Sequence, residues 1–123
     1  NINAALGCAQ LEQLHDFLTK KRGLAEAYRQ QFEKVDGVQF FTEPSYASSN
    51  YWLNTLLLDT TGARDQLLTV TNDSGLMTRP TWTLMHKLPM FQECPRMDLT
   101  TAESLERRLI NIPSSVFLGE KHV

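Results

Sequence analysis

The chain's 123 residues predict an α+β fold, a small sheet with helices packed on it, from three observations. Leu11, Leu14, Leu18, Ala25, Tyr28, Phe32 and Val35 recur on alternating steps of three and four, the spacing of one helix face, with Lys21 as the polar interruption. A strand, strand, helix, strand succession then runs from Val38 to Thr78. A capping-box pattern, Thr100-x-x-Glu103, announces a last helix. The sheet is expected to hold about three strands, mainly antiparallel: a crossover helix returns the third strand in the direction of the second, and beside the first strand it would make the sheet wholly antiparallel.

In chain order, Asn1 or Asn3 is the expected N-cap of a long helix over residues 1–35, closed by Asp36-Gly37. At about 30 residues this helix is too long for a domain of this size to cover at both ends. Its first turns carry Ala4, Ala5, Gly7 and Ala9, small residues that permit close approach to another surface. The chain starts within that helix and without Met, so the expectation is a piece of a longer protein. Val38 to Phe41 reads as a short strand, and Glu43 to Asn50 as a turn-rich loop with Pro44 and a Ser48-Ser49-Asn50 cluster. Tyr51 to Leu58, YWLNTLLL, is the strongest strand and reads as central. Thr60 or Thr61 caps a helix from Ala63 to Asp73, with Gly75 just past its end, and Leu76 to Thr78 forms a strand that Pro80 stops. The last helix is expected to turn Leu105, Leu109 and Ile110 inward and to stop before Pro113; residues 116–123 read as a loosely held tail.

The bulk properties exclude several classes. A formal charge of −2 and a pI near 5.9 leave no basic field for nucleic acid. No apolar run approaches the ~20 residues of a membrane span. Cys8 and Cys94 stand far apart without CxxC spacing, as free thiols of a reducing cytoplasm would. His15, His86, His122 and the two cysteines share no metal-ligand spacing, there is no GxSxG elbow, and the glycines form no phosphate loop. Lys20-Lys21-Arg22 and Arg107-Arg108 read as helix surface. The domain by itself shows no complete active site.

One segment stands apart. Leu76 to Phe91, LMTRPTWTLMHKLPMF, is apolar, aromatic and without helical or strand period. Such a segment lines a ligand site or forms a wall against another domain or subunit. Its candidate binding residues, for an anionic or hydroxyl-rich ligand, are Arg79 as a fork donor, Trp82 as a platform, and His86 as donor or acceptor. Asn111 and the Ser114-Ser115 pair are weaker candidates. An independent ligand- or partner-binding module, or a dimerisation domain, would use the same loop without any catalytic half.

The run NINAALGCAQLEQLHDFLTKKR resembles the start of the C-terminal small domain in the DegT/StrS family of pyridoxal-phosphate-dependent nucleotide-sugar aminotransferases. Asn1, Ala4, Ala5, Gly7, Gln10, Leu11 and Leu14 match the second half of the family motif N-x-R-M-x-N-x-x-A-A-x-G-x-x-Q-L-x-x-L. NYWLNTLLLD, GLMTRPTWTLMHKLPMF and ERRLINIPSS are similar to later family blocks in the same order. RPTWTLMHKLPMF followed by CPRMDLTTAE is most similar to enzymes that aminate keto-deoxy sugars for legionaminic acid or perosamine-type surface glycans. The resemblance implies the small domain of a fold-type-I enzyme, acting as a cytoplasmic homodimer on a nucleotide sugar with glutamate as the usual amino donor. It places the cofactor-binding lysine and the aspartate that pairs the pyridinium nitrogen in a large N-terminal domain. Lys20, Lys21, Lys34, Lys87 and Lys121 do not sit in the cofactor-lysine motif. The expectation is therefore no catalytic residue in this chain, no covalent cofactor on it, and no activity of the piece alone.

Overall fold

Asn1 opens the first helix by accepting the amide of Asn3 on its side-chain oxygen at 3.1 Å. The computed structural model describes residues 1–119, and in it the expected single N-terminal helix is two: α1 (Ile2–Glu12) and α2 (Leu14–Phe32). The break is at Gln13. Its amide bonds Gln10 in a tighter 3₁₀ manner at 3.2 Å, while its side-chain nitrogen bonds the Ala9 carbonyl at 3.2 Å. The two segments also differ in burial. α1 buries none of its residues, whereas α2 buries Leu24 and Ala25 and lays Tyr28 and Phe32 on the core. α2 ends at Phe32, short of Asp36, and Gly37 adopts φ +77° in the turn that follows.

The sheet holds four strands in the order β1 (Val38–Phe40), β2 (Asn54–Leu58), β4 (Leu109–Ile112), β3 (Arg79–Pro80), every pair antiparallel. β4 is the strand that the sequence hides. Leu109 and Ile110 were expected on the last helix, yet α4 spans only Thr100–Arg108, and Leu109 turns to an extended φ −81°, ψ 141°. The reason is burial: Ile110 and Ile112, two apart, share one face in register with Leu56 and Asn54, and Ile110 is wholly enclosed. Burying such a side chain contributes about 1.5–3 kcal/mol, more than the helix preference of two residues at a terminus. β2 and β3 do run in the same direction, but with β4 between them, so β3 lies at the edge away from β1. Pro80 is tolerated there because an edge strand need not donate on both sides.

The segment Leu76 to Thr78 precedes the ladder instead of joining it, since Thr78 is bound to the helix before it. Its hydroxyl lies 2.6 Å from that of Thr71, and the Asn72 amide donates to its carbonyl at 3.1 Å. That helix, α3 (Thr61–Asp73), has the expected ends: Thr60 accepts from Ala63 at 3.1 Å, and Gly75 takes φ +78° with amide bonds Gly75 to Asn72 and Leu76 to Thr71. α4 starts differently. Its N-cap is Leu99, which offers no side-chain cap, and Asp98 before it accepts the Thr100 amide at 3.2 Å and hydroxyl at 2.7 Å, so Thr100 stands inside the helix and Glu103 has no capping-box partner. Residues 116–119, expected to be loose, form a short helix α5 (Val116–Gly119) packed on α2, with Gly119 buried. The rest of that tail, residues 120–123, lies outside the described residues.

α2 and α3 cover one sheet face, where Phe40, Leu56, Leu58, Ile110 and Ile112 form the core. Asn54 shares that face with Leu56 and Leu58 and is buried, and its side-chain amide has no hydrogen-bond partner among the described residues. An orphaned buried amide costs on the order of 1–3 kcal/mol.

Candidate functional site

The site lies at the end of the sheet where β2 and β3 begin and β4 leaves. Two irregular segments, 41–53 and 81–99, meet there, and each brings a tryptophan. The Trp52 and Trp82 rings stack with centroids 6.4 Å apart and planes 28° from parallel. Neither is core: they are 67% and 68% exposed. They border a cleft of about 370 Å³ with Met77, Arg79, Asn111 and Ser114.

Arg79 is placed by β3. Its register partner is Asn111, so both side chains stand on the sheet face opposite the core, and Asn111 accepts from Thr55 at 2.8 Å. Arg79 is exposed and makes no hydrogen bond or ion pair among the described residues. A guanidinium left unpaired beside an aromatic pair, with an amide and a hydroxyl in reach, suits a ligand with an anionic group and a flat or hydroxyl-rich body. Ser114 is partly committed. Its hydroxyl accepts the Asn54 amide at 2.7 Å and donates to the Ile112 carbonyl at 2.8 Å, which ties β2 to the end of β4. Ser115 is exposed outside the cleft lining.

His86 is elsewhere. Its Nε2 lies 2.9 Å from Glu103, and it borders a separate, mostly apolar hollow of about 440 Å³ with Leu84, Met85, Phe91, Cys94 and Leu99. The structure therefore brings Arg79 and Trp82 together and sets His86 apart from them. His86 belongs to a clamp. Glu103 and Glu106, one turn apart on α4, hold the 3₁₀ turn Met85–Lys87: Glu103 takes His86, while Glu106 accepts the Leu84 amide at 3.4 Å and pairs with Lys87. The Lys87 ammonium holds the Glu106 carboxyl below the usual carboxylate range.

The wall opposite is set by α2. Lys21, read from the sequence as helix surface, donates to three carbonyls: Tyr51 at 3.4 Å, Trp52 at 3.1 Å and Ser114 at 2.6 Å. Burial pushes its pKa down. Arg22 grips Glu43 with both terminal nitrogens, donates to the Ser49 carbonyl at 2.7 Å, and lies 5.5 Å from the centre of the Tyr51 ring. Glu43 also accepts the Ser49 amide, and the Arg22 bond first, then that amide, draws its pKa down. Tyr51 sits at φ +44°, a conformation that a non-glycine residue keeps only when its surroundings impose it. Trp52, Lys21, Arg22 and Glu43 are the site residues that the sequence reading missed. The Ser48-Ser49-Asn50 cluster was the available signal, since it ends the loop at Tyr51-Trp52 and argues against strand there.

A helix, the strand β1, the hairpin partner β2, a crossover helix, and β4 inserted beside an edge strand make the fold of about one third of an aminotransferase chain. The crystal structure of the aminotransferase TlmJ from Streptoalloteichus hindustanus superposes with a TM-score of 0.82, covering 97% of this chain and 33% of that one at 24% identity. A structure of the Escherichia coli GDP-4-keto-6-deoxy-D-mannose-3-dehydratase with bound hydrated pyridoxal phosphate superposes with a TM-score of 0.78, covering 97% of this chain and 34% of that one at 19% identity. The sequence is 35% identical over 123 residues to GDP-perosamine synthase of Escherichia coli O157:H7, and covers 100% of this chain and 33% of that protein. The chain belongs to the DegT/DnrJ/EryC1/StrS aminotransferase family, whose sequence profile matches residues 1–123. It spans about a third of the length of the curated relatives it matches.

Pyridoxal phosphate is the cofactor of the full-length enzymes of this family. The described lysines do not form a place for it. Lys20 pairs with Asp16 at 2.8 Å, Lys21 is spent on carbonyls, Lys87 is paired with Glu106, and Lys34 is exposed beyond the end of α2. None of these lines the Trp52–Trp82 cleft, and Lys121 lies outside the described residues. No step of cofactor chemistry is assigned to this chain. Among the described residues no cluster of His, Cys, Asp and Glu fits a metal ion, and no helix is long and apolar enough to cross a membrane.

Proposed function

We propose that residues 1–123 form the small domain of a pyridoxal-phosphate-dependent aminotransferase that moves an amino group, with glutamate as donor, to a nucleotide-linked keto-deoxy sugar. In this reading the parent is a cytoplasmic homodimer. Its cofactor lysine and pyridinium partner lie in the other two thirds, roughly, of the protein, and the piece alone is inactive. The uncovered surface of α1 docks on that remainder or on a second subunit. The sugar nucleotide meets this domain at the Trp52–Trp82 cleft, with Arg79 on an anionic or carbonyl group and Trp82 as a wall. His86, held by Glu103, lends a polar contact from the adjoining turn.

The observation that carries the reading is Arg79, without a hydrogen bond or ion pair among the described residues, beside two stacked, exposed tryptophans in a chain of this family. The test is kinetic and uses the full-length protein. Arg79→Ala and Trp82→Ala are each expected to raise the KM for the sugar nucleotide by about tenfold or more, with the cofactor's absorbance unchanged. His86→Ala should raise it less. An unaltered KM in both of the first two variants would move the substrate away from this cleft.

A further inference from the structure

We propose that Lys21 is a positioning residue that fixes the Trp52 wall of the cleft from the far side of the chain fold. This rests on the cleft being the sugar-nucleotide site.

Lys21 interrupts an otherwise apolar helix stripe, and half-burying its ammonium, with no carboxylate partner among the described residues, is costly unless its three donors are all used. They are, and every acceptor is a main-chain carbonyl. Two belong to consecutive residues, Tyr51 and Trp52, at the end of the irregular segment; the third belongs to Ser114, beyond the end of β4. One side chain on α2 thus joins both strands that frame the mouth of the cleft. The segment it grips also carries short-range bonds, the Tyr51 amide to Ser49 Oγ and the Trp52 amide to Asn50 Oδ1, each at 3.0 Å, but these move with the segment and do not anchor it to the helix layer. Between Phe41 and Leu53 it forms no strand, and its last residue before the tryptophan holds φ +44°. Residues in that region return to ordinary conformations when their restraints go. Arg22, the next residue, anchors the other end of the same segment through Glu43 and Ser49, but it does not touch Trp52. Lys21 is therefore the α2 side chain that reaches Trp52 itself: its bond to the Trp52 carbonyl fixes the backbone from which the indole leaves toward Trp82.

Three carbonyls also define what substitutes for it. Arginine keeps donors at that reach and methionine keeps only the stem. The full-length enzyme carrying Lys21→Met is expected to show a KM for the sugar nucleotide about tenfold higher with kcat little changed, and Lys21→Arg should recover most of the loss. A role confined to general stability would not act through one ring, so the deciding measurement is a cycle with Trp52→Ala. If Lys21 works through Trp52, adding Lys21→Met to Trp52→Ala raises KM no further; additive effects overturn the proposal. A ligand-free readout separates it from the reading of the cleft. In fluorotryptophan-labelled enzyme, the Trp52 resonance, assigned by Trp52→Phe, is expected to shift and broaden in Lys21→Met. A resonance that stays in place overturns the positioning role. A moved resonance with an unchanged KM upholds that role and refutes the cleft as the sugar site. Should Lys21→Met not yield folded enzyme, Lys21→Gln, with two donors on a shorter arm, is put through the same cycle under the same outcomes.

Discussion

The two irregular segments that meet at the cleft are held by opposite charges in different ways. Segment 41–53, which presents Trp52, is held by cations of α2: at the tryptophan Lys21 grips only main-chain carbonyls, while Arg22 divides its grip between the Ser49 carbonyl and the Glu43 and Ser48 side chains. Segment 81–99, which presents Trp82, is held by carboxylates of α4, and the grip falls mainly on side chains, His86 and Lys87, with one main-chain amide. A main-chain grip fixes a residue's position whatever its side chain; a side-chain grip is lost with either partner. The Trp52 wall is therefore expected to be the stiffer one, and the Trp82 wall the one that yields to a single substitution.

The largest expected effect reaches the stiff wall from behind. Gly119 in α5 packs so closely on α2 that a Cβ there would collide with the Lys20 carbonyl, and main chain cannot swing aside. Gly119→Ala should cost about 1–3 kcal/mol in denaturant unfolding. Because the push lands on the residue before Lys21, it should disturb the Trp52 resonance and spare that of Trp82. Equal disturbance of both would break the comparison.

On the other wall, Glu106→Ala removes the acceptor of the Leu84 amide and the partner of Lys87 together. It is expected to cost about 1 kcal/mol, since the site is near solvent and water replaces part of what is lost. Trp82 should gain mobility on the nanosecond scale, read by its anisotropy, while Trp52 keeps its own. A stability loss without a change at Trp82 would mean that packing, not the carboxylate clamp, sets that segment.

Most of the fold was legible because local chemistry agreed with it. α3 carries its own start and stop in Thr60 and Gly75, and β2 advertises itself with three leucines. β4 was not legible: LERRLINI continues a helical stripe as well as it makes a strand, and only the faces of Leu56 and Asn54 across the sheet decide between them. The capping box misled for a related reason: Leu99 is the N-cap, the Thr100 hydroxyl is turned to Asp98, and Glu103 meets a histidine seventeen residues back. Of the site, Arg79 and Trp82 were readable from their irregular setting. Lys21 and Arg22 were not, because a basic residue on a helix looks the same whether it meets water or a carbonyl thirty residues away.

The smallest effect separates the walls by pH. Glu43 and Glu106 both have pKa values drawn below the ordinary carboxylate range, Glu43 first by Arg22 and Glu106 first by Lys87. A carboxyl depressed by folding stabilises the fold above its unfolded value and loses that contribution as pH falls through the depressed one. Each wall should therefore loosen only below about pH 4, but by unequal amounts. The Trp52 side keeps the three carbonyl bonds of Lys21, which no acid in this range removes. The Trp82 side loses the Lys87 pair and weakens at the Leu84 amide together. On acidification the Trp82 resonance should move further than that of Trp52. Glu106→Gln should abolish most of the movement at Trp82, because an amide there has no charge to lose. Glu43→Gln should leave the Trp82 titration intact. If instead Glu43→Gln flattens the response of both rings, the walls are coupled through their stacked indoles, and the cleft responds to acid as one unit.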